Sequence, residues 1–209
     1  MNGTTLVPAD LFRQCRATAF ERGLEAALEQ LAAEFAPERT VGHGGRAMLP
    51  EPLLARFADA AVTGTYPTDT GALALAGTGL ADPADEADWS WRIGVAWVRV
   101  GAVERFTRTA TDRLSRRRIG GNPTITLPLV RAAVGDVAAA LGQAVGLLDA
   151  AVSAAEPPPA LVEAEIGQAL RTSWKFFGAS GYVVDTASDT GQAITLLSDV
   201  YSIGFGGGR

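Results

Sequence analysis

Leu114-Ser-Arg-Arg-Arg-Ile-Gly-Gly-Asn-Pro123 interrupts two long helical patterns, and how this stretch turns decides the fold. Gly120 and Gly121 supply the left-handed backbone that a helix end needs, and Pro123 keeps the first helix from running on. Upstream, Ile93, Trp97, Val100, Val103, Ala110 and Leu114 recur at helical spacing and make one apolar stripe. The opposite face carries Arg99, Arg105, Arg108, Asp112 and Arg113, and Glu104 stands one turn before Arg108, where opposite charges meet. Downstream, Leu127, Val130, Val134, Val137, Leu141, Val145, Leu148 and Val152 form a seam suited to antiparallel helix packing. Gly135, Gly142 and Gly146 beside it leave room for a close neighbour. The stretch from Trp89 to Val152 is therefore expected to be a helical hairpin at the heart of a bundle.

Composition agrees with a mostly helical chain. The 209 residues suffice for a real core, and 47% are apolar. The formal net charge of −5 argues against a nucleic-acid surface, which needs a broad basic face. The single cysteine, Cys15, excludes an internal disulfide and a thiolate zinc site, and its helical setting makes it a packing residue. His43, the only histidine, falls in a glycine-rich run with no carboxylate-rich motif nearby and is read as a loop residue. No basic-then-apolar leader opens the chain, so a cytoplasmic location is expected. The most apolar window, 137–155, contains Gln143 and Asp149 and is read as a core helix, with no membrane span.

Taken in order, Pro8 and Asp10 begin a helix expected to run to about Phe35, striped by Leu24, Leu28, Leu31 and Phe35. Residues 37–50 read as loop, 52–62 as a short helix, and 64–83 as a turn-rich segment in which Leu73 to Ala76 suggests a strand. Beyond the hairpin, Glu156-Pro-Pro-Pro159 leads into a helix over 160–177 that buries Leu161, Ile166, Leu170, Trp174 and Phe177. Asp189 and Gln192 resemble a capping box, and Ile194, Leu197 and Tyr201 continue the last stripe. The glycine-rich tail after Gly204 has no helix behind it and is not a phosphate loop. The expected architecture is all-α: a helical N-terminal cap with a linker over 1–83, and a four-helix bundle over 84–209.

Two turns carry a resemblance. Arg117-Arg-Ile-Gly-Gly-Asn-Pro123 is similar to the Arg-x-x-Phe-Gly-x-Pro turn in the C-terminal four-helix domain of the acyl-CoA dehydrogenase family. Phe177-Gly-Ala-Ser-Gly-Tyr182 is similar to the family's Gly-Gly-x-Gly-Tyr turn. The likeness implies homodimers and an acyl-thioester or similar apolar substrate. In the family the turn arginine and the glycine turn lie against FAD, which makes Arg117, Gly178 and Ser180 the positions for a flavin shared with a partner subunit. A guanidinium suits a pyrophosphate, but arginines at a helix C-terminus also complement its dipole without any ligand.

The departures shape the functional expectation. Gly120 replaces the turn phenylalanine, Pro128 the glutamine opening the next helix, and Ser198 the arginine ahead of the final-helix aspartate, here Asp199. Of the family's two base positions, one falls on Trp91, and the other lies in a region with no glutamate, since none follows Glu165. Losing a general base forfeits a factor of about 10²–10⁴ in proton abstraction. Residues 1–88 also stand where the family carries a helical domain and a β-barrel. The expectation is a flavin-free protein that binds an acyl or polyketide chain and promotes a non-redox step such as cyclisation in specialised metabolism. Trp91, Arg92, Trp174 and Tyr182 are its candidate substrate contacts; no catalytic residue is assigned and no metal is expected. The alternative is an accessory subunit that completes the FAD site of a full-length dehydrogenase-like partner.

Overall fold

In the computed structural model, residues 9–80, 89–178 and 186–202 are described. The central element is α4, Trp89–Arg116, which meets α5, Pro128–Ala154, through the predicted turn. Arg118–Ile119 (β4) and Asn122–Pro123 (β5) pair as a two-residue hairpin. Gly120 and Gly121 between them have φ of +58° and +86°, the left-handed pair such a tight hairpin requires. Thr124 donates both its N–H and its hydroxyl to the Arg117 carbonyl, which ties the end of the turn back to the end of α4. α6, Leu161–Lys175, packs along α5, and α7, Thr186–Tyr201, completes a bundle around α4. The all-helical bundle is as the sequence indicates.

The predicted stripe of α4 is buried throughout, but so is almost everything else between Ser90 and Val103. The reason is an extra layer. α1, Ala9–Arg22, lies along the face of α4 that its charges had marked as outward, and α2, Leu24–Ala32, follows after a break at Gly23. A Cβ built on Gly101 would stand 2.1 Å from the Arg16 carbonyl oxygen, so only glycine permits this helix approach. Close packing thus falls at Gly101 rather than at Gly135, Gly142 and Gly146, whose added Cβ would meet nothing within 4 Å. The buried line of α5 is Val137, Leu141 and Leu148 interleaved with Ala140, Ala144 and Ala151, while Val130, Val134, Val145 and Val152 sit half-buried at its edges.

The N-terminal segment departs from a purely helical cap. The single helix expected to Phe35 is two, and the helix expected over 52–62 shrinks to one turn, α3 at Glu51–Leu54. Strands β1 (Arg46–Leu49), β2 (Ala61–Pro67) and β3 (Ala72–Gly77) form a small antiparallel sheet with β3 in the middle. Ala47, Met48, Leu49, Leu73, Ala74 and Ala76 turn their side chains into the common core, whose pull outweighs the local helical preference of alanine and leucine. α7 seals against this sheet through Tyr201, whose hydroxyl accepts from the Met48 N–H at 2.9 Å and donates to the Thr40 carbonyl at 3.1 Å.

α5 is long and apolar enough to cross a membrane by length and composition, with mean hydropathy 1.6, yet only 33% of its most apolar window is buried. It is less a core helix than expected. One flank rests on α6, and the other exposes Ala132, Gly135, Ala139, Gly146 and Ala150, with Leu129 86% exposed near its start.

Candidate functional site

Arg99, assigned by its charge to the outer face of α4, is only 3% exposed. Its Nη1 donates to Glu163 Oε2 of α6 at 2.6 Å, and the Ser198 hydroxyl of α7 donates to the same oxygen at 2.8 Å. Arg99 Nε and Glu163 Oε1 are buried without a hydrogen-bond partner among the described residues. A buried pair of this kind spends much of its Coulombic attraction on desolvation, and its value lies in fixing how the three helices meet. Ser198 also borders a cavity of about 310 Å³ lined by His43, Asp199 and Ser202. There His43 Nε2 lies 3.2 Å from the Ser202 carbonyl oxygen and 3.3 Å from its hydroxyl, so the loop histidine is anchored to the end of α7.

A larger cleft, about 440 Å³, runs between α1, α4 and α5. Phe20, Val134, Val137, Ala138 and Leu141 give it apolar walls, and Gly142 leaves it open along α5. The Arg108 guanidinium lies 4.2 Å above the Phe20 ring, which holds that wall in place. Polar groups come from α1 and α4. Arg16 donates from Nε to Glu104 Oε2 at 3.0 Å and from Nη2 to Oε1, a bidentate fork. Glu104 therefore pairs with Arg16 across two helices and not with Arg108 along its own. The Thr107 hydroxyl, also on the wall, donates to the Val103 carbonyl at 2.7 Å and lies 2.7 Å from Ser173 Oγ. Apolar walls with a few fixed polar groups, at this volume, are the usual form of a small-molecule site.

The residues singled out in sequence are scattered. Trp91 is 1% exposed, stacked edge-on against Phe35 at 5.4 Å and Tyr201 at 5.7 Å, in the core between α2, α4 and α7. Its indole N–H lies near the Tyr201 hydroxyl but closes no hydrogen bond of normal geometry. Arg92 is half-buried one position further along α4, and Trp174 is half-buried with its ring edge-on to Phe106 at 6.1 Å. None of the three lines the larger cleft. Tyr182 and Ser180 lie outside the described residues. Arg16, Phe20 and Thr107 carry no signal of their own in the sequence, and Glu104 and the α5 valines carry only that of a surface charge and a packing seam. The signal available was a carboxylate and an aromatic on helices that share a neighbour, and it gave no hint of which residues meet.

Arg117 and Gly178, the positions named for a shared flavin, stand apart along α4. Phe177 packs on Phe106 at 4.9 Å, which places Gly178 beside the middle of α4. Arg117 follows roughly three turns later, about 16 Å along the axis. The Arg117 side chain is exposed and Gly178 has φ +60°, so each suits a close contact, but the two do not converge. Among the described residues no three of His, Cys, Asp and Glu gather as metal ligands.

No family model and no curated protein matches the sequence. Solved structures do. The chain is similar to a steroid acyl-CoA dehydrogenase at 19% identity and TM-score 0.48, over 68% of this chain and 45% of that one. FkbI, for biosynthesis of the methoxymalonyl extender unit of a polyketide immunosuppressant, matches at 16% identity and TM-score 0.47, over 68% and 47%. A glutaryl-CoA dehydrogenase from Mycobacterium smegmatis in complex with FADH2 matches at 14% and 0.47, over 66% and 43%. The chain spans less than half the length of each. The first is named an acyl-CoA dehydrogenase, the family that the two turns resemble, and the third a glutaryl-CoA dehydrogenase.

Proposed function

We propose that this protein binds an apolar acyl or polyketide-type chain in the cleft between α1, α4 and α5, without flavin, and promotes a non-redox step such as cyclisation in specialised metabolism. The observation that carries the reading is the cleft itself: aliphatic walls from Val134, Val137 and Leu141, an aromatic side from Phe20, and a fixed Arg16–Glu104 pair. Such a site promotes reaction by confinement. Folding a flexible chain so that its ends meet removes several kcal/mol of entropic barrier, about 7 or more in well-oriented systems. The tryptophan at position 91, where the resemblance would put a carboxylate base, supports a step that needs no α-proton abstraction by this chain.

The proposal includes a cytoplasmic homodimer, with the exposed small-residue face of α5 as the contact. The test fills the cleft. Gly142→Trp adds a side chain into open space, so it should fold and still abolish saturable binding of the uncharged dye Nile red. Undiminished binding in that variant removes the cleft from the account. Deleting the gene should then cause an uncyclised chain to accumulate; an unaltered metabolite profile removes the catalytic half.

A second reading, an accessory subunit that contributes Arg117 to the FAD site of a full-length partner, draws on one observation. The Arg117 backbone is pinned by Thr124 while its guanidinium points to solvent. Flavin absorbance in a complex purified from the native host, lost on Arg117→Ala, would favour it.

A further inference from the structure

The arginines at the polar end of the cleft are already paired with carboxylates, and this restricts what can enter. Arg16 already gives two of its five N–H donors to Glu104, so its positive charge is neutralised by a bidentate carboxylate. Further along, Arg13 pairs with Asp149 Oδ1 at 2.7 Å and with Asp10 Oδ1 at 3.3 Å. Two arginines thus face three carboxylates, Asp10, Glu104 and Asp149. Arg16 is the one cation among the residues that line the cleft, Arg108 being set over the Phe20 ring and outside that lining, so an anionic head group would have to displace Glu104 from Arg16 and leave that carboxylate half-buried and unpaired. The three remaining Arg16 donors can still serve an oxygen that carries no charge. Thr107 adds little, because its hydroxyl proton already serves Val103.

Resting on the cleft as the ligand site, we infer that its occupant is an uncharged apolar molecule with a carbonyl or hydroxyl oxygen set against Arg16, as in a ketone or ester, and that free carboxylic acids are excluded. The apolar portion then lies along Phe20, Val134 and Val137.

Ligand-observed NMR titrations of the full chain with 2-decanone, decanoate and decylamine test this on one scaffold length. 2-Decanone should bind at least about tenfold more tightly than decanoate. Glu104→Gln, which keeps the shape but frees the Arg16 charge, should shift the decanoate-to-decanone ratio by about tenfold toward decanoate. Decanoate binding as tightly as the ketone to the unaltered protein, decylamine binding tightest, or a ratio indifferent to Glu104→Gln would each overturn the inference while leaving the cleft a ligand site. If none of the three binds, the cleft reading falls and the inference with it.

Discussion

Arg99 and Glu163 form an ion pair inside the bundle, with side chains only 4% and 14% exposed, joining α4 to α6 and, through Ser198, to α7. Removing one member leaves the other charged and buried. Glu163→Ala should therefore cost about 3–5 kcal/mol, read as a lowered midpoint of urea unfolding. Arg99→Met combined with Glu163→Leu should recover most of that loss, since an apolar pair of similar volume dispenses with desolvation. Equal destabilisation by the single and double variants would contradict the pairing.

Gly101 and Gly142 predict opposite outcomes for the same substitution. Gly101→Ala drives a methyl into the Arg16 carbonyl and should separate α1 from α4, with loss of cooperative folding or a drop of several kcal/mol. Gly142→Ala meets open space on a helix and should stabilise by about 0.5–1 kcal/mol. Thermal unfolding of the two variants checks both signs.

Trp91 is placed where its loss opens a large cavity between Phe35 and Tyr201. Trp91→Ala should cost about 3–5 kcal/mol while leaving ligand affinity per folded molecule unaltered. A stable variant that no longer binds ligand would return Trp91 to the site.

The hairpin, the stripe of α4 and the left-handed glycines were legible because they are local: period, turn chemistry and proline placement all lie within a few residues. What was not legible was the layer added by α1. Charged residues on α4 read as solvent-facing, yet Arg99 finds Glu163, Glu104 finds Arg16, and Arg105 reaches Asp69 and the carbonyls of Phe20 and Glu21. Each partner is far away in sequence, and periodicity reports an apolar face without reporting what covers the other. The cleft was hidden for the same reason, since its walls come from three helices. The small sheet was missed because Ala and Leu dominate β1 and β3, and only Leu73 to Ala76 hinted at a strand.

Alkaline pH should loosen the fold. Burial, assisted by the nearby Glu34 charge, pushes the Cys15 thiol up from its ordinary value of 9.0 to about 12. Burial likewise raises the Tyr201 phenol, against the opposing pull of the Met48 N–H and Trp91. Both groups stay protonated in the fold at a pH where the unfolded chain ionises, so the unfolded state binds fewer protons and stability falls as pH rises. The Cys15 contribution is intact below pH 9 and is lost on the way to about pH 12, and that of Tyr201 declines at higher pH still. Unfolding midpoints across that range should decline, and Cys15→Ser should flatten part of the decline. Native Cys15 should resist alkylation at neutral pH and react only on unfolding.

The cleft is tested most directly by photolabelling with an aliphatic ketone that carries a diazirine at its far end, followed by peptide mapping of the modified residues. Labels should fall on Phe20, Val134, Val137 and Leu141, be suppressed by excess 2-decanone and be absent in Gly142→Trp. Labels concentrated near His43 and Ser202 or around Trp91, or labelling that an excess of ketone does not suppress, would contradict it.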